Sequence, residues 1–337
     1  MKAFVTGATG LLGNNLVRAL LAEGHPVRAL VRSPEKAARL LADTGAEVVA
    51  GDMEDVAAFA PALDGCDVVF HTAAYFREYY GPGDHWPKLE KINVQGTLAL
   101  AESARARGVR RLLDTGSSGI IGLKPGGEPG DESTPPAPVA RTNLYFKSKV
   151  MAEERLRVWS RTSGMEVLSI LPGWMFGPYD AGPTGAGQLV NDFLARKIPA
   201  LPPGGTSAVD ARDVARGMVR AAERGRPGER YILGGTYYSL AEVLQLLAKV
   251  TGTPAPTLSI PYGVALTIAA VAETWARITR TPTVMTVEGV RTLAASLSVS
   301  SAKAQRELGA TFRPFEDTLR DTVAWIRAHA QPTGVAA

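Results

Sequence analysis

A chain of 337 residues, 45% hydrophobic and 21% charged, can bury a sizeable core behind a polar surface, which excludes a disordered or fibrous protein. Its 37 Lys and Arg against 33 Asp and Glu leave a net charge of +4. There is no basic run and no interleaving of basic and aromatic residues, so the composition argues against a nucleic-acid partner. The single cysteine, Cys66, excludes an intramolecular disulfide and a cysteine zinc site, and His25, His71, His85 and His329 lack metal-ligand spacing, so no metal is expected.

The chain opens on an apolar strand at residues 2–6, then runs through Gly7-Ala8-Thr9-Gly10-Leu11-Leu12-Gly13 into an amphipathic helix at 11–23. Gly7 suits the tight turn off the strand, Gly10 lets backbone approach a pyrophosphate, and Gly13 lets the helix lie against the sheet. The amide-rich, positive end of that helix then faces phosphates, with Thr9, Leu11 and Leu12 completing the cradle. The spacing is GxxGxxG, and the strand before it and the strand after its helix make dinucleotide binding the favoured reading over a plain turn.

Strands are expected at 2–6, 27–32, 46–50, 67–71, 110–115 and 166–171, with helices at about 11–23, 34–42, 55–63, 88–107 and 145–163. This alternation predicts an α/β fold of Rossmann type, a doubly wound parallel sheet with its ligand at the carboxyl ends of the strands. The second strand ends at Arg32, with Ser33 next and Lys36 one turn on, where an acid would hold the ribose of NAD. A guanidinium suits a 2′-phosphate, so NADP is the first choice of cofactor and NAD the second. Asp52 and Met53, at the end of the third strand, are expected beside the adenine. Thr72, Ala73 and Ala74, after the fourth, are expected along the middle of the cofactor.

Asn93 sits among apolar residues and reads first as a buried brace, second as part of a water relay. The fifth strand ends Asp114-Thr115-Gly116-Ser117-Ser118, and a Pro- and Gly-rich stretch from Lys124 to Val139 follows, long enough for a lid or substrate loop. The helix beyond it carries Tyr145 and Lys149, four apart and on one face.

The glycine turn, Ser117 and Tyr145-x-x-x-Lys149 together resemble an extended short-chain dehydrogenase/reductase of the NAD-dependent epimerase/dehydratase family. Leu171-Pro172-Gly173-Trp174-Met175-Phe176-Gly177-Pro178 resembles the family segment that flanks the nicotinamide, which places Pro172 at the cofactor. Val209-Asp210-Ala211-Arg212-Asp213-Val214-Ala215 resembles a further family segment. The layout around Arg32 looks most like the dihydroflavonol-reductase-like branch. The resemblance implies that Tyr145 exchanges a proton with a carbonyl or alcohol oxygen, Lys149 stabilises its phenolate, and Ser117 polarises the carbonyl, with Ser118 as the alternative serine. A free phenol titrates at about 10, so a cation one turn away answers a real need. No acid follows the Ser-Ser pair, which counts against a dehydratase. The expected activity is NADP-dependent reduction of a ketone or aldehyde, or the reverse. The alternatives are an NAD-dependent nucleotide-sugar epimerase and a non-catalytic NADP-binding sensor.

After Pro178 the alternation fades. Residues 1–177, with 208–235 returning to them, are expected to form the cofactor-binding domain. Residues 178–207 and 236–330 are expected to form a mainly helical substrate region, with helices at 188–196, 239–251, 262–279, 285–295, 300–308 and 315–330. Ile198 to Gly205 reads as a Pro-rich loop and Asp210 to Glu223 as helix. Pro254, Pro256, Pro261 and Pro282 punctuate the rest. Tyr75, Phe76, Trp174, Met175, Phe176 and Tyr179 are expected near a moderately hydrophobic small-molecule substrate. A strand at the very start suggests no signal peptide and a cytoplasmic enzyme, and the resemblance allows a homodimer. No integral membrane span is expected. The apolar stretch from Tyr262 to Ala272 is short and reads as a buried or interface helix, with peripheral membrane contact the lesser alternative.

Overall fold

The computed structural model describes residues 1–76, 83–279 and 285–329; Pro282 lies outside them. Seven strands form one parallel sheet: β1 (Ala3–Thr6), β2 (Val27–Val31), β3 (Glu47–Ala50), β4 (Val68–His71), β5 (Arg111–Thr115), β6 (Glu166–Pro172) and, sequentially later, Arg230–Leu233. Three further short strands are β7 (Trp174–Phe176), β8 (Gly205–Asp210) and β10 (Thr236–Ser239), which makes Arg230–Leu233 β9. The large sheet has the order β3-β2-β1-β4-β5-β6-β9. The chain winds outward from β1 to β3, then crosses back to β4 on the other side. The carboxyl ends of β1 and β4 therefore bound the crevice where the winding reverses.

Burial on both faces explains the near-continuous apolar runs of the inner strands, while β3 at the sheet edge stays largely exposed. On one face, Leu12, Leu16 and Leu20 of helix Leu11–Ala22 pack with Val214 and Met218 of helix Ala211–Arg224. On the other, Phe59, Leu63, Leu100, Ala104 and Leu156 close over Phe4, Val69 and Leu112.

The expected helix at 88–107 is three pieces: Trp86–Lys88, a π-helical Leu89–Gly96, and α-helical Thr97–Ala106. The wide turns hold Asn93. The expected 55–63 helix is a single α-turn, Val56–Phe59, continued as a 3₁₀ turn. The helix that carries Tyr145 spans Leu144–Ser163; the Asn143 side chain caps it by accepting from the Phe146 amide at 2.9 Å, and Gly164, at φ 73°, ends it.

The small sheet adds to the sequence reading. Ile198 to Gly204 is loop as expected, apart from a single bridge at Leu201, but β8 begins at Gly205 and runs to Asp210, ahead of the helix. It pairs in parallel with β7 and antiparallel with β10. Prolines and glycines hid a strand whose apolar run is only Ala208 and Val209. The Lys124–Val139 stretch is tied down at its centre: the Gly130 amide donates to the Ser298 carbonyl at 3.0 Å and its carbonyl accepts from Ser300 at 2.7 Å. Beyond β7, Val190, Phe193, Leu244, Leu247, Phe315 and Leu319 form a separate helical core around the small sheet.

Candidate active site

The turn after β1 is set by backbone proximity. Gly7 sits at φ 69°, and a Cβ there would lie 2.8 Å from the Ala73 nitrogen; a Cβ on Gly13 would lie 2.2 Å from the Gly7 carbonyl oxygen. Both positions exclude any side chain. Gly10 is exposed, donates to the Gly7 carbonyl at 2.9 Å, and caps the helix with no side chain. The first-turn amides of Leu11, Leu12 and Gly13 thus lack intrahelical partners and a side-chain cap, beside half-buried Thr9. An uncapped helix end at the mouth of a glycine cradle fits a pyrophosphate.

Thr6, at the end of β1, ties this turn to β4. Its Oγ1 accepts from the amides of Thr72 and Ala73, both at 3.2 Å, and contacts His71 Nδ1 at 2.8 Å. The Thr72 hydroxyl donates to the Thr6 carbonyl at 2.6 Å. His71 Nε2 meets Thr97 Oγ1 at 3.0 Å, and that hydroxyl donates to the Asn93 carbonyl at 2.8 Å. The arrangement requires the proton on Nε2. Burial, with Lys149 adding to it, pushes His71 down to about 3, so it is a neutral structural link. Ala73 and Ala74 follow, half-buried, with no bulk to fill the crevice.

Arg32 is exposed one residue beyond β2. Ser33 caps the next helix by accepting from the Lys36 amide at 3.1 Å, and its hydroxyl donates to Glu35 at 2.7 Å. Glu35 therefore shares the turn with Arg32 and Lys36, which the sequence reading overlooked. Asp52 accepts from the Glu54 amide at 2.9 Å and stays half-exposed, while Met53 is buried.

At the end of β5, two contacts fix the Tyr145 helix. Lys149 is buried and its Nζ donates to the Thr115 carbonyl at 2.7 Å. One residue beyond Tyr145, Phe146 brings the tip of its ring against Gly119, where a Cβ would come within 2.5 Å of it. Ser117 stands between these anchor points, half-buried, its Oγ accepting from the Gly119 amide at 3.2 Å, whereas Ser118 is buried. The structure thus brings Tyr145, Lys149 and Ser117 to one strand end. The Tyr145 ring lies 5.9 Å from Lys149 Nζ, with Phe76 and Phe146 around it at 4.7 and 5.8 Å between ring centres. Burial lowers the Lys149 ammonium, opposed by Asp114, and burial raises Asp114 to about 6, opposed by Lys149. Asp114 faces no solvent and was not singled out in the sequence; its place at the end of an apolar strand was the available signal.

Asn93 is a brace. Its Oδ1 accepts from the Tyr75 amide at 2.7 Å, and its Nδ2 donates to the Tyr75 carbonyl and to Ser148 Oγ, both at 3.1 Å. Ser148 in turn donates to the Tyr145 carbonyl at 2.7 Å. The Tyr75 hydroxyl meets His85 Nδ1 at 2.8 Å.

The other aromatics divide. Trp174 is half-buried against Phe176, 4.8 Å between ring centres. Phe176 is fully buried and stacks edge-on against Phe315 at 5.2 Å, which makes it a core residue and not a substrate contact. Tyr179, at φ 72°, lies under the Arg18 guanidinium at 4.1 Å and beside Trp325. Its ring contacts are with Arg18 of the first helix and Trp325 of the helix Phe315–His329. Pro172 is buried at the end of β6, just before Gly173, where a Cβ would strike the Gly234 carbonyl at 2.4 Å. Asp210 and Asp213 are structural: Asp210 caps its helix and binds Arg212, and Asp213 accepts from the Arg313 amide at 2.8 Å.

This combination of doubly wound sheet, uncapped glycine turn and Tyr–Lys pair agrees with the match of residues 3–234 to the NAD dependent epimerase/dehydratase family. The chain belongs to that family, among the extended short-chain dehydrogenase/reductases, and is an NAD(P)-dependent enzyme. It is 35% identical to a protein of Synechocystis sp. provisionally named dihydroflavonol 4-reductase, over 97% of this chain and 94% of that one. It is 34% identical to sterol demethylase protein B of Methylococcus capsulatus, over 97% and 98% of the two chains. Among solved structures it is similar to gox2253, with a TM-score of 0.83 and 33% identity over 97% of this chain and 98% of that one.

Proposed function

We propose that this enzyme is an NADPH-dependent reductase of a moderately hydrophobic ketone or aldehyde, acting also in reverse. The observation that carries the reading is the pairing of Tyr145 with a buried Lys149, anchored on Thr115, at the carboxyl end of β5, on the same edge of the sheet as the glycine turn. A nicotinamide cofactor held by these residues would supply the hydride that the carbonyl carbon takes up. Ser117 Oγ, or Ser118 as the alternative, donates a hydrogen bond to the carbonyl oxygen and polarises it. Tyr145 gives that oxygen its phenolic proton, so the product is an alcohol and the phenolate recovers its proton from solvent. The Lys149 ammonium, fixed by Thr115, offsets the phenolate charge as it forms.

The glycine turn with Thr9, Leu11 and Leu12 holds the pyrophosphate. Asp52 and Met53 flank the adenine, Thr72 to Ala74 line the middle, and Pro172 borders the nicotinamide. Arg32 and Lys36 take the 2′-phosphate. Glu35, in the same turn, is the observation on the side of NADH. Residues 1–177 and about 208–235 form the cofactor unit and the remainder the substrate region. Tyr75, Phe76 and Trp174 offer the substrate an apolar wall. The names of the two curated relatives refer to a flavonoid and to sterols, which supports a substrate of that hydrophobic kind.

A paired fluorescence titration with NADPH and NADH tests the cofactor. NADPH binding at least about tenfold tighter, ~1.4 kcal/mol, supports the Arg32 assignment, and equal or tighter NADH binding overturns it in favour of an NAD-dependent epimerase. Tyr145→Phe is expected to keep cofactor affinity and lose turnover by orders of magnitude on a ketone and aldehyde panel; retained turnover removes Tyr145 from the chemistry.

A further inference from the structure

The helix Tyr262–Thr279 is built inside out. It rests on the body of the protein through Ala265, Leu266, Ala269 and Ala276, against Val290 and its neighbours, while five of its large apolar residues face away. Val264, Ile268, Val271, Trp275 and Ile278 recur at alternating steps of four and three, so they form one stripe, and they are between 45% and 72% exposed. A helix that served only the core would place these five inward and its alanines outward. Glu273 turns inward, accepting from the Val287 amide at 2.9 Å, and among the described side chains no charge interrupts the outward face.

The outward threonines are compatible with an apolar surrounding. Thr267, Thr274 and Thr279 each turn their hydroxyl back onto the helix, donating to the carbonyls of Gly263, Ala270 and Trp275 at 2.9, 2.7 and 2.8 Å. Such bonds are ordinary for threonine in a helix, as at Thr251 and Thr162; here they use the hydroxyl donors of the outward face, which lowers the cost of bringing that face into an apolar medium.

We infer that this face docks in the plane of a lipid bilayer. The helix is not long and apolar enough to cross a membrane, so it lies on the surface with its stripe among the acyl chains. A second copy fits less well. Eighteen residues make a helix about 27 Å long, whose exposed strip about 10 Å wide offers roughly 300 Å². A stable protein interface needs about 800 Å² from each partner. The positions flanking the stripe are Gly, Ala and Thr, without the charges that pair helices across a coiled-coil seam. A bilayer demands neither a minimum area nor paired charges. The docking helix packs on helix Val287–Ala294, whose Thr292 meets Asn143, the cap of the Tyr145 helix, at 3.5 Å.

The test is flotation of the full chain with vesicles of phosphatidylcholine and phosphatidylglycerol. The wild type is expected to rise with the lipid and to show a blue shift in tryptophan emission that Trp275→Phe removes. Val271→Glu combined with Ile278→Glu, both at exposed positions, should lower the bound fraction about tenfold or more with an unchanged melting curve, and Val271→Leu with Ile278→Leu should keep it. The inference is overturned if the wild type stays with the soluble fraction at every lipid concentration, or if the glutamate variant floats equally well. It is also overturned if light scattering without lipid finds a dimer that the glutamate variant dissolves, since the occupant is then a second copy. Cofactor titration of the same variants, expected to be unchanged, keeps this result separate from the proposed activity.

Discussion

Asn93→Ala probes whether the catalytic helix is held by the π-helical turn. The side chain makes three hydrogen bonds, to the amide and carbonyl of Tyr75 and to Ser148 Oγ. Truncation leaves the Tyr75 amide without this acceptor, at a cost of about 1–3 kcal/mol, and removes a second partner from the fully buried Ser148. The half-buried Tyr75 carbonyl can recruit water, so its loss adds little. The sum is about 2–4 kcal/mol of destabilisation, read by urea unfolding followed by circular dichroism. Because Ser148 also holds the Tyr145 carbonyl, turnover should fall at temperatures where the variant is still fully folded. A loss of stability under about 0.5 kcal/mol with unchanged turnover would refute the idea that Asn93 positions this helix, since an exposed or redundant side chain behaves that way.

Gly13→Ala places a methyl 2.2 Å from the Gly7 carbonyl oxygen and 2.9 Å from Ala8 Cα, both backbone, so the helix must shift off the sheet. Cofactor affinity in a fluorescence titration should drop at least about tenfold, together with a lower melting temperature; Gly24→Ala, with open space around its Cβ, should leave affinity unchanged. Asp114 predicts a pH signature. Burial raises its carboxyl from 3.8 to about 6, so between those values the native state holds a proton that the unfolded chain has released. Its contribution is therefore most favourable below about pH 4 and falls as pH rises through 6, by about 3 kcal/mol in all. Asp114→Asn should remove that slope, so that the stability difference between variant and wild type, measured by denaturant titration from pH 4 to 7, grows in the variant's favour. A difference that stays flat across this window would mean that Lys149 keeps the carboxylate ionised.

The sequence was informative where a residue's role follows from its own chemistry. Alternating apolar runs marked six of the seven strands of the main sheet, and helical spacing put Tyr145 and Lys149 on one face, with the resemblance supplying the roles expected of them. Three kinds of feature lay beyond it. The small sheet depends on β8 finding β7 and β10 at long range, and Gly204, Gly205 and the prolines before them look like loop to any local pattern. Phe176 and Tyr179 have the residue type of a substrate wall, but type does not say which side of a strand or loop they occupy; the core took one and Arg18 the other. The apolar stretch in Tyr262–Thr279 was read as a buried or interface helix, with membrane contact the lesser alternative, because composition shows that a helix is apolar without showing which face meets the protein.

The two halves of the site are joined by a continuous buried network that no single motif contains. From the glycine turn, Thr6 passes through His71 to Thr97, then to the backbone of Asn93, whose side chain holds Ser148 and through it the Tyr145 carbonyl. Each member is a short polar side chain on a different element, and each has its hydrogen-bonding capacity largely used by its neighbours. Such a network has two consequences in a low-dielectric interior. It fixes distance, because a shift of one member leaves a buried donor unpaired in the next. It also requires His71 to stay neutral, since a second proton on Nδ1 would replace the acceptor that Thr6 needs, and burial beside Lys149 supplies that condition. Burial is the larger cause, and the nearby Lys149 ammonium adds to it. This accounts for a histidine at the end of a buried strand that takes no part in the chemistry itself.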